Sequence, residues 1–224
     1  MVCLVTLAAG FGAGLATGRA TAPKAGTGNP AAISAPAGST AAAATSASAA
    51  PAITGKTLVD ALIPLPPGAA RKTVPHAGAD GSMTLDQFLQ ELYPDSTDER
   101  GFLEARGFVG AAATWFDTAN GQELSFYLIS FSSQGGAHSE ALGLVNAHQE
   151  DPDDSSEAKF AVPALTDGTG FETSALDSYG NTGSYVYGAV GDVAVIVHCY
   201  TPAKLDRADL LTLVDQQAAR LSAH

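Results

Sequence analysis

A chain of 224 residues has room for one or two domains, and its formal net charge of −12 is unevenly placed along it. All 23 acidic residues lie at or after Asp60, so residues 56–224 carry nine basic side chains against 23 acidic ones, a formal charge of −14. This charge repels phosphate backbones and anionic lipid headgroups, which bind through Lys and Arg. The composition therefore argues against nucleic acid as a partner.

An uncharged apolar run over residues 1–18 opens the chain. It is shorter than the roughly 20 apolar residues that a membrane-spanning helix needs, and its glycines weaken it as a helix. The small residues Ala20 and Ala22 have the spacing that signal peptidase favours. We predict a signal peptide over residues 1–22. Because no basic segment precedes the apolar run, an uncleaved signal anchor is the alternative, and only in that form would the chain touch the membrane.

Residues 23–55 consist almost entirely of Ala, Pro, Gly, Ser and Thr. Ordering a residue costs about 1–2 kcal/mol, and methyl groups alone do not offset that cost. We therefore predict a disordered spacer, followed by one globular domain over residues 56–224. A leader and spacer before a folded domain indicate export, either as a secreted protein or as one tethered at the outer face of the cytoplasmic membrane.

The first predicted helix begins after Thr84. Thr84 and Gln87 have the spacing of a capping box, and apolar residues then recur at helical intervals until Pro94 ends the helix. A second, shorter helix is predicted between Ser96 and Gly107 by the same capping pattern.

The next segment has the pattern of a β-hairpin followed by a helix. Apolar runs over residues 108–117 and 124–131 flank the turn-forming pair Asn120-Gly121. Ser133 is placed to cap a helix over residues 134–148, and the residues on its inward stripe are Ala137, Ala141, Leu144 and Val145.

The same pattern recurs near the end of the chain, after an acidic loop and two short strands around residues 160–162 and 171–174. Residues 185–190 and 193–200 flank Gly191-Asp192, a two-residue turn, and a helix opens at Asp206. Sequential hairpins pair as antiparallel strands, and amphipathic helices need an apolar face to cover. We predict an α+β fold in which α-helices pack against a single curved antiparallel β-sheet of about five or six strands.

Four short motifs connect the chain to known proteins. They are MTLDQF at residues 83–88, VGDVAVIV at 190–197, TP at 201–202 and LDR at 205–207. On these motifs most of residues 58–222 resembles a group of uncharacterised exported proteins of high-GC actinomycetes. The arrangement of elements is also loosely similar to the Mog1/PsbP-like fold, whose members are mainly binding or assembly factors. The resemblance implies an exported α+β domain and assigns no functional residue.

Three motifs of known enzymes were tested against the sequence. The Gly-x-Ser-x-Gly elbow of serine hydrolases is absent from it. The Ser-x-x-Lys match at residues 156–159 lacks the further motifs of penicillin-recognising enzymes, and Gly55-Lys56-Thr57 lacks the upstream glycine of a phosphate-binding loop. His198 and Cys199 are neighbours on a predicted strand and therefore point to opposite faces, so they cannot act as a base and its thiol. We expect Cys199 to be a buried small hydrophobe.

No metal site is predicted. His138 and His148 lie ten residues apart on one helix, about 80° from a common face, and are expected on its solvated flank. The acidic loop over residues 150–157 lacks the glycine and the ligand order of an EF-hand and is expected to be a solvated turn. No cofactor is expected.

Aromatic residues concentrate in the predicted sheet and give the best candidate site. If helices cover one face only, Trp115, Tyr127, Tyr185 and Tyr187 on the other face form a shallow groove for a peptide, a glycan or an apolar ligand. The alternative is that residues 58–80 cover that face.

The function expected from these patterns is non-enzymatic binding of an envelope protein, peptide or glycan by an exported module. Two alternatives stay open at this point. One is an exported hydrolase with an unrecognised active site, and the other is a structural accessory domain without a ligand.

Overall fold

A computed structural model describes residues 55–94, 96, 98–150, 157–177, 179–202 and 206–224. These residues belong to one compact unit, Pro51–His224. The predicted signal peptide and nearly all of the predicted spacer lie outside the described residues, as do residues 151–156 of the acidic loop. None of the helices in the described ranges is long and apolar enough to cross a membrane.

The described chain contains five helices and eight strands. The helices are α1 (Gly55–Ala61), α2 (Leu85–Leu92), α3 (Glu99–Ala105), α4 (Gln134–Glu150) and α5 (Arg207–Ser222). The strands are β1 (Ala70–Lys72), β2 (Ser82–Met83), β3 (Phe108–Asp117), β4 (Glu123–Phe131), β5 (Ala158–Ala161), β6 (Thr166–Glu172), β7 (Thr182–Val190) and β8 (Val193–Thr201).

All strands join one antiparallel sheet in the order β1-β3-β4-β8-β7-β6-β5, and β2 also pairs with β3. The two predicted hairpins, β3-β4 and β7-β8, meet side by side at the β4–β8 ladder. The predicted α+β class and both hairpin-then-helix units are confirmed. The strand count is higher than predicted because β1 and β2, of three and two residues, are too short to show a period-2 pattern.

Local signals set the ends of these elements as expected. Thr84 and Gln87 form both hydrogen bonds of a capping box at α2. The Ser133 hydroxyl accepts from the N–H of Gly136 at the start of α4, and the Asp206 carboxylate accepts from the N–H of Ala208 at α5. Gly191, with φ 59°, opens the two-residue turn between β7 and β8, where a left-handed backbone favours glycine.

Alternating side chains give the sheet two chemically different faces. The apolar face contains Ala112, Phe116, Leu124, Phe126, Leu128, Val186, Val193, Val195, Val197 and Cys199. The aromatic face contains Ala111, Ala113, Trp115, Tyr127, Ile129, Phe131, Phe171, Tyr185, Tyr187, Ala189, Ala194, Ile196, His198 and Tyr200. Cys199 is 1% exposed, as predicted.

Helices pack on both faces. α1 and α5 cover the apolar face, and the buried Gln217 of α5 joins them by accepting from the N–H of Ile63 and donating to the carbonyl of Ala61. α2, α3 and α4 pack on the aromatic face. Neither face is therefore left entirely open. Of residues 58–80, the part before β1 helps to cover the apolar face, whereas Val74 and Ala77 after β1 pack on the aromatic face.

Candidate ligand-binding site on the aromatic face

One row of side chains crosses the aromatic face at right angles to the strands. Cross-strand register places its members side by side on seven neighbouring strands, every strand except β2, from one edge of the sheet to the other. In order, the members are Lys72, Trp115, Ser125, His198, Tyr185, Phe171 and Lys159. We call these seven residues the transverse row.

The transverse row marks the limit of the helical cover. The next row toward the helices is buried and consists of Ala113, Tyr127, Ile196 and Tyr187, each 5% exposed or less. The next row on the other side contains the half-buried Asp117, Glu123 and Tyr200. Trp115, His198 and Tyr185 between them are half-buried, so they keep part of their surface accessible to a ligand.

A lysine stacks on an aromatic ring at each end of the row. The Lys72 ammonium lies 4.6 Å from the centre of the Trp115 ring, and the Lys159 ammonium lies 5.9 Å from that of Phe171. Lys72 also forms ion pairs with Glu123 and, at 3.5 Å, with Asp117. The ends are thus already occupied by the protein's own cations, and the middle of the row is left for a ligand.

His198 lies at the centre of the row. Its ring centre is 5.3 Å from that of Tyr185 and 5.9 Å from that of Tyr127. Burial, and secondarily the nearby His148, lowers the pKa of His198 to about 4, so the imidazole is neutral at physiological pH. Within the described chain it makes no hydrogen bond to another residue. A neutral imidazole can donate from one nitrogen and accept at the other, so His198 offers a ligand both functions.

The hydroxyl groups beside His198 are linked to the protein. Tyr185 and Tyr200 hydrogen-bond to each other, and burial raises the pKa of both phenols. The Tyr127 hydroxyl donates to the Glu91 carboxylate over 3.2 Å, and a further hydrogen bond links Tyr127 to Ser125. Burial, then the Glu91 charge, raises the pKa of Tyr127 as well. These links fix the rings in place and keep their hydroxyls protonated.

Of the four aromatic residues predicted to form the site, two lie in the transverse row and two lie behind it. Trp115 and Tyr185 lie in the transverse row and are half-buried. Tyr127 and Tyr187 lie on the same face, but in the row behind, where they are 5% and 3% exposed. Sequence reasoning missed the other five members, because nothing in the order of residues shows that six separate ladders align. These members are Lys72, Ser125, His198, Phe171 and Lys159.

His148 is not on a solvated helix flank, and that prediction is wrong. The side chains of His148 and Glu157 are 6% and 5% exposed, and they pair through Nε2 and Oε2. The Tyr187 hydroxyl lies 3.4 Å from Nδ1, and the imidazole packs against Phe171 and Tyr185. Partners at both nitrogens allow a polar ring to be buried. Glu157, predicted to be solvated, is therefore buried as the partner of His148. His138, by contrast, pairs at the surface with Asp167 at 2.7 Å.

A second polar cluster lies under α4. Glu140 is 1% exposed, its carboxylate pairs with Arg106, and it accepts from the Tyr93 hydroxyl over 3.5 Å. Burial raises the pKa of Glu140, and the Arg106 charge opposes that shift. This cluster explains why α4 can place a glutamate among apolar residues. It anchors the helix that bounds the aromatic face.

Ser125, His198 and Cys199 lie close together in the sheet but do not form a nucleophile and base pair. Ser125 is the cross-strand neighbour of His198, but its hydroxyl bonds to Tyr127 instead of the imidazole. Cys199 lies on the opposite face, as the alternation predicted, and burial raises the pKa of its thiol to about 12. In the described part of the chain no group of three His, Cys, Asp or Glu side chains is placed to hold a metal ion.

No protein-family model matches the chain, and no curated protein sequence matches it. Among solved structures, the extracellular domain of PknH from Mycobacterium tuberculosis is similar to it. The sequence identity is 7% and the TM-score 0.43, and the similarity covers 58% of this chain and 72% of that one. A likeness at this level carries no information about function.

Proposed function

We propose that residues 56–224 form a non-enzymatic module of the cell envelope that binds a neutral glycan across the transverse row. The observation that carries this proposal is the row itself. On four adjacent strands the row contains, in order, Trp115, Ser125, His198 and Tyr185. Aromatic rings and polar groups therefore lie next to one another along it. Strands lie about 4.8 Å apart, so these four span roughly 14 Å. A sugar presents apolar ring faces and hydroxyl edges, and the row offers a complementary surface for both.

The charges around the transverse row favour a neutral ligand. Asp117, Glu123 and Glu91 border the row, and Lys72 is already paired with the first two. An anionic ligand would meet these carboxylates, and a cation would have to displace a lysine from Trp115 or Phe171.

The position of the row within the sheet favours a glycan over a peptide. Extended peptides bind sheets by pairing with the free backbone of an edge strand. The four central members lie on the interior strands β3, β4, β8 and β7, whose backbone N–H and C=O groups already pair with both neighbours. Export is supported by the apolar leader and the Ala- and Pro-rich segment before Asp60, whose composition suits a spacer that holds the module away from the membrane.

Tryptophan fluorescence tests the proposal directly, because the chain contains one tryptophan and that residue is in the row. We expect neutral cell-wall oligosaccharides to change the emission of Trp115 in a saturable way. His198→Ala and Tyr185→Ala should each weaken this binding at least tenfold, since each removes a central contact. Tyr179→Ala is the matched control, because Tyr179 is a tyrosine 62% exposed and outside the row.

Three results would reject the glycan assignment. The first is an emission change that neither central variant reduces. The second is equal weakening by Tyr179→Ala. The third is saturable binding of an unstructured peptide that neutral oligosaccharides do not displace, which would place a peptide in the row instead.

A further inference from the structure

A cleft of about 290 Å³ opens on the other side of the sheet, at its β1 edge. Its walls come from the end of α1 and the residues after it, from β1, from β3 and from α5. The polar residues that line it are Asp60, Arg71, Asp80, Thr114 and Arg220, and the apolar ones are Val59, Leu62, Ile63 and Pro64. Arg71 and Thr114 are on the apolar-face side of their strands, so this cleft and the transverse row lie on opposite faces.

The two arginines of this cleft differ from the other arginines in the described ranges. Arg100, Arg106 and Arg207 each form an ion pair with a carboxylate. Arg71 and Arg220 form none within 4 Å in those ranges, although the domain carries far more acidic than basic residues. Two guanidinium groups without a carboxylate partner therefore line one small cleft.

Contacts within the protein hold both guanidinium groups in place and use only part of their hydrogen-bonding capacity. One nitrogen of Arg71 donates to the buried Thr114 hydroxyl over 3.3 Å. Arg220 donates to the backbone carbonyls of Asp60 and, over 3.3 Å, Ala61 at the end of α1. A guanidinium carries five N–H donors, so each arginine keeps donors for a ligand.

We propose that this cleft binds a small carboxylate with an apolar substituent. Asp60 and Asp80 also line the cleft, and their carboxylates repel a dianion such as phosphate more than a monoanion. A planar carboxylate matches the paired donors of a guanidinium. The half-buried Val59 and the exposed Pro64 supply the contact for the apolar substituent. The volume is near the lower limit of small-molecule sites, which restricts the ligand to about the size of one amino-acid derivative.

Titration of the full chain with N-acetyl-leucine tests this inference, with N-acetyl-leucinamide and inorganic phosphate in parallel. We expect saturable shifts of the backbone amide signals of Ile63 and Thr114 with the carboxylate. The amide should bind at least tenfold more weakly, because it keeps the substituent and loses the charge. Phosphate should bind more weakly than the carboxylate.

Variants separate the role of Arg71 from a loss of folding. Arg71→Gln should weaken N-acetyl-leucine binding about tenfold or more, and Arg71→Lys should weaken it less. Arg100→Gln, which alters an exposed arginine elsewhere, should leave it unchanged, and the amide signals distant from the cleft report whether each variant is folded. Equal binding of acid and amide, tighter binding of phosphate, or unchanged binding by a folded Arg71→Gln protein would overturn the inference. The glycan proposal is tested separately, through Trp115 on the opposite face.

Discussion

β8 shows the contrast between the two faces of the sheet within a single strand. Toward α5 it presents Val193, Val195, Val197 and Cys199, which lie in a core of aliphatic and phenylalanine side chains. Toward α4 the alternate residues are Ala194, Ile196, His198 and Tyr200, which change from apolar to polar along the strand. The apolar side of β8 is buried along its length, whereas the helical cover of the aromatic face ends at the transverse row.

The two faces also differ in how they treat polar groups. On the aromatic face, tyrosine hydroxyls pair with Glu91, Glu140, His148 and one another. On the apolar face, the hydroxyl of Ser184 is buried and, within the described chain, finds no hydrogen-bond partner. The aromatic face thus maintains a network of paired polar groups beside an accessible row, whereas the apolar face around Ser184 is organised for packing. The following changes test this difference, beginning with the largest expected effect.

Phe126→Ala should be the most damaging change, because it empties the centre of the apolar face. Phe126 is fully buried and stacks on Phe116 with ring centres 6.2 Å apart. We expect a loss of about 3–5 kcal/mol in the free energy of unfolding, measured by urea denaturation followed by circular dichroism. Tyr185→Ala, in the half-buried row, should cost clearly less. Equal losses for the two would remove the distinction between a packing face and a binding face.

His198 should make the stability of the protein depend on pH. Its pKa is lowered from 6.5 to about 4, so the folded state disfavours the charged imidazole. The stabilisation is therefore fully present above pH 6.5 and is lost as the pH falls toward 4, by an amount of about 2–3 kcal/mol. The free energy of unfolding of wild type and of His198→Phe, measured by denaturation across this pH range, gives this contribution as the difference between their pH dependences. Parallel curves would contradict the buried neutral imidazole.

Two serines on opposite faces offer a matched pair. Ser184→Ala removes a buried hydroxyl without a described partner and should raise the free energy of unfolding by about 1 kcal/mol. Ser125→Ala removes a hydroxyl that bonds to Tyr127 and should lower it by about 1 kcal/mol. Thermal unfolding of both variants shows whether each change in stability is a gain or a loss. Two shifts of the same sign would show that the faces do not differ in polar pairing.

Lys72→Met should have the smallest effect on stability. The side chains of Lys72 and Glu123 are 32% and 27% exposed, and ion pairs of this kind contribute about 0.2–1 kcal/mol. The emission of Trp115 should nevertheless change, because the ammonium above its ring is removed. Arg100→Met breaks a more exposed pair with Asp86 and should leave that emission unchanged. Unaltered emission in Lys72→Met would argue against the stacking at this end of the row.

The sequence by itself determined the elements whose signals are local. Capping residues such as Thr84 and Asp206, the Gly191-Asp192 turn and the alternation of β8 act over a few residues, so the two hairpins and the helices after them could be predicted from the order of residues alone. The opposed directions of His198 and Cys199 followed from the same alternation.

Only the tertiary structure decided which strands align and which helix covers which face. The transverse row depends on six ladders, from Lys72 to Lys159, and no local pattern specifies the register of β1 with β3 or of β4 with β8, which are distant in the chain. The burial of His148 was not predicted because its partner, Glu157, comes from another part of the chain, and Glu140 is buried against Arg106 in the same way. A polar residue is buried where a distant group satisfies it, and only the folded chain brings the two together.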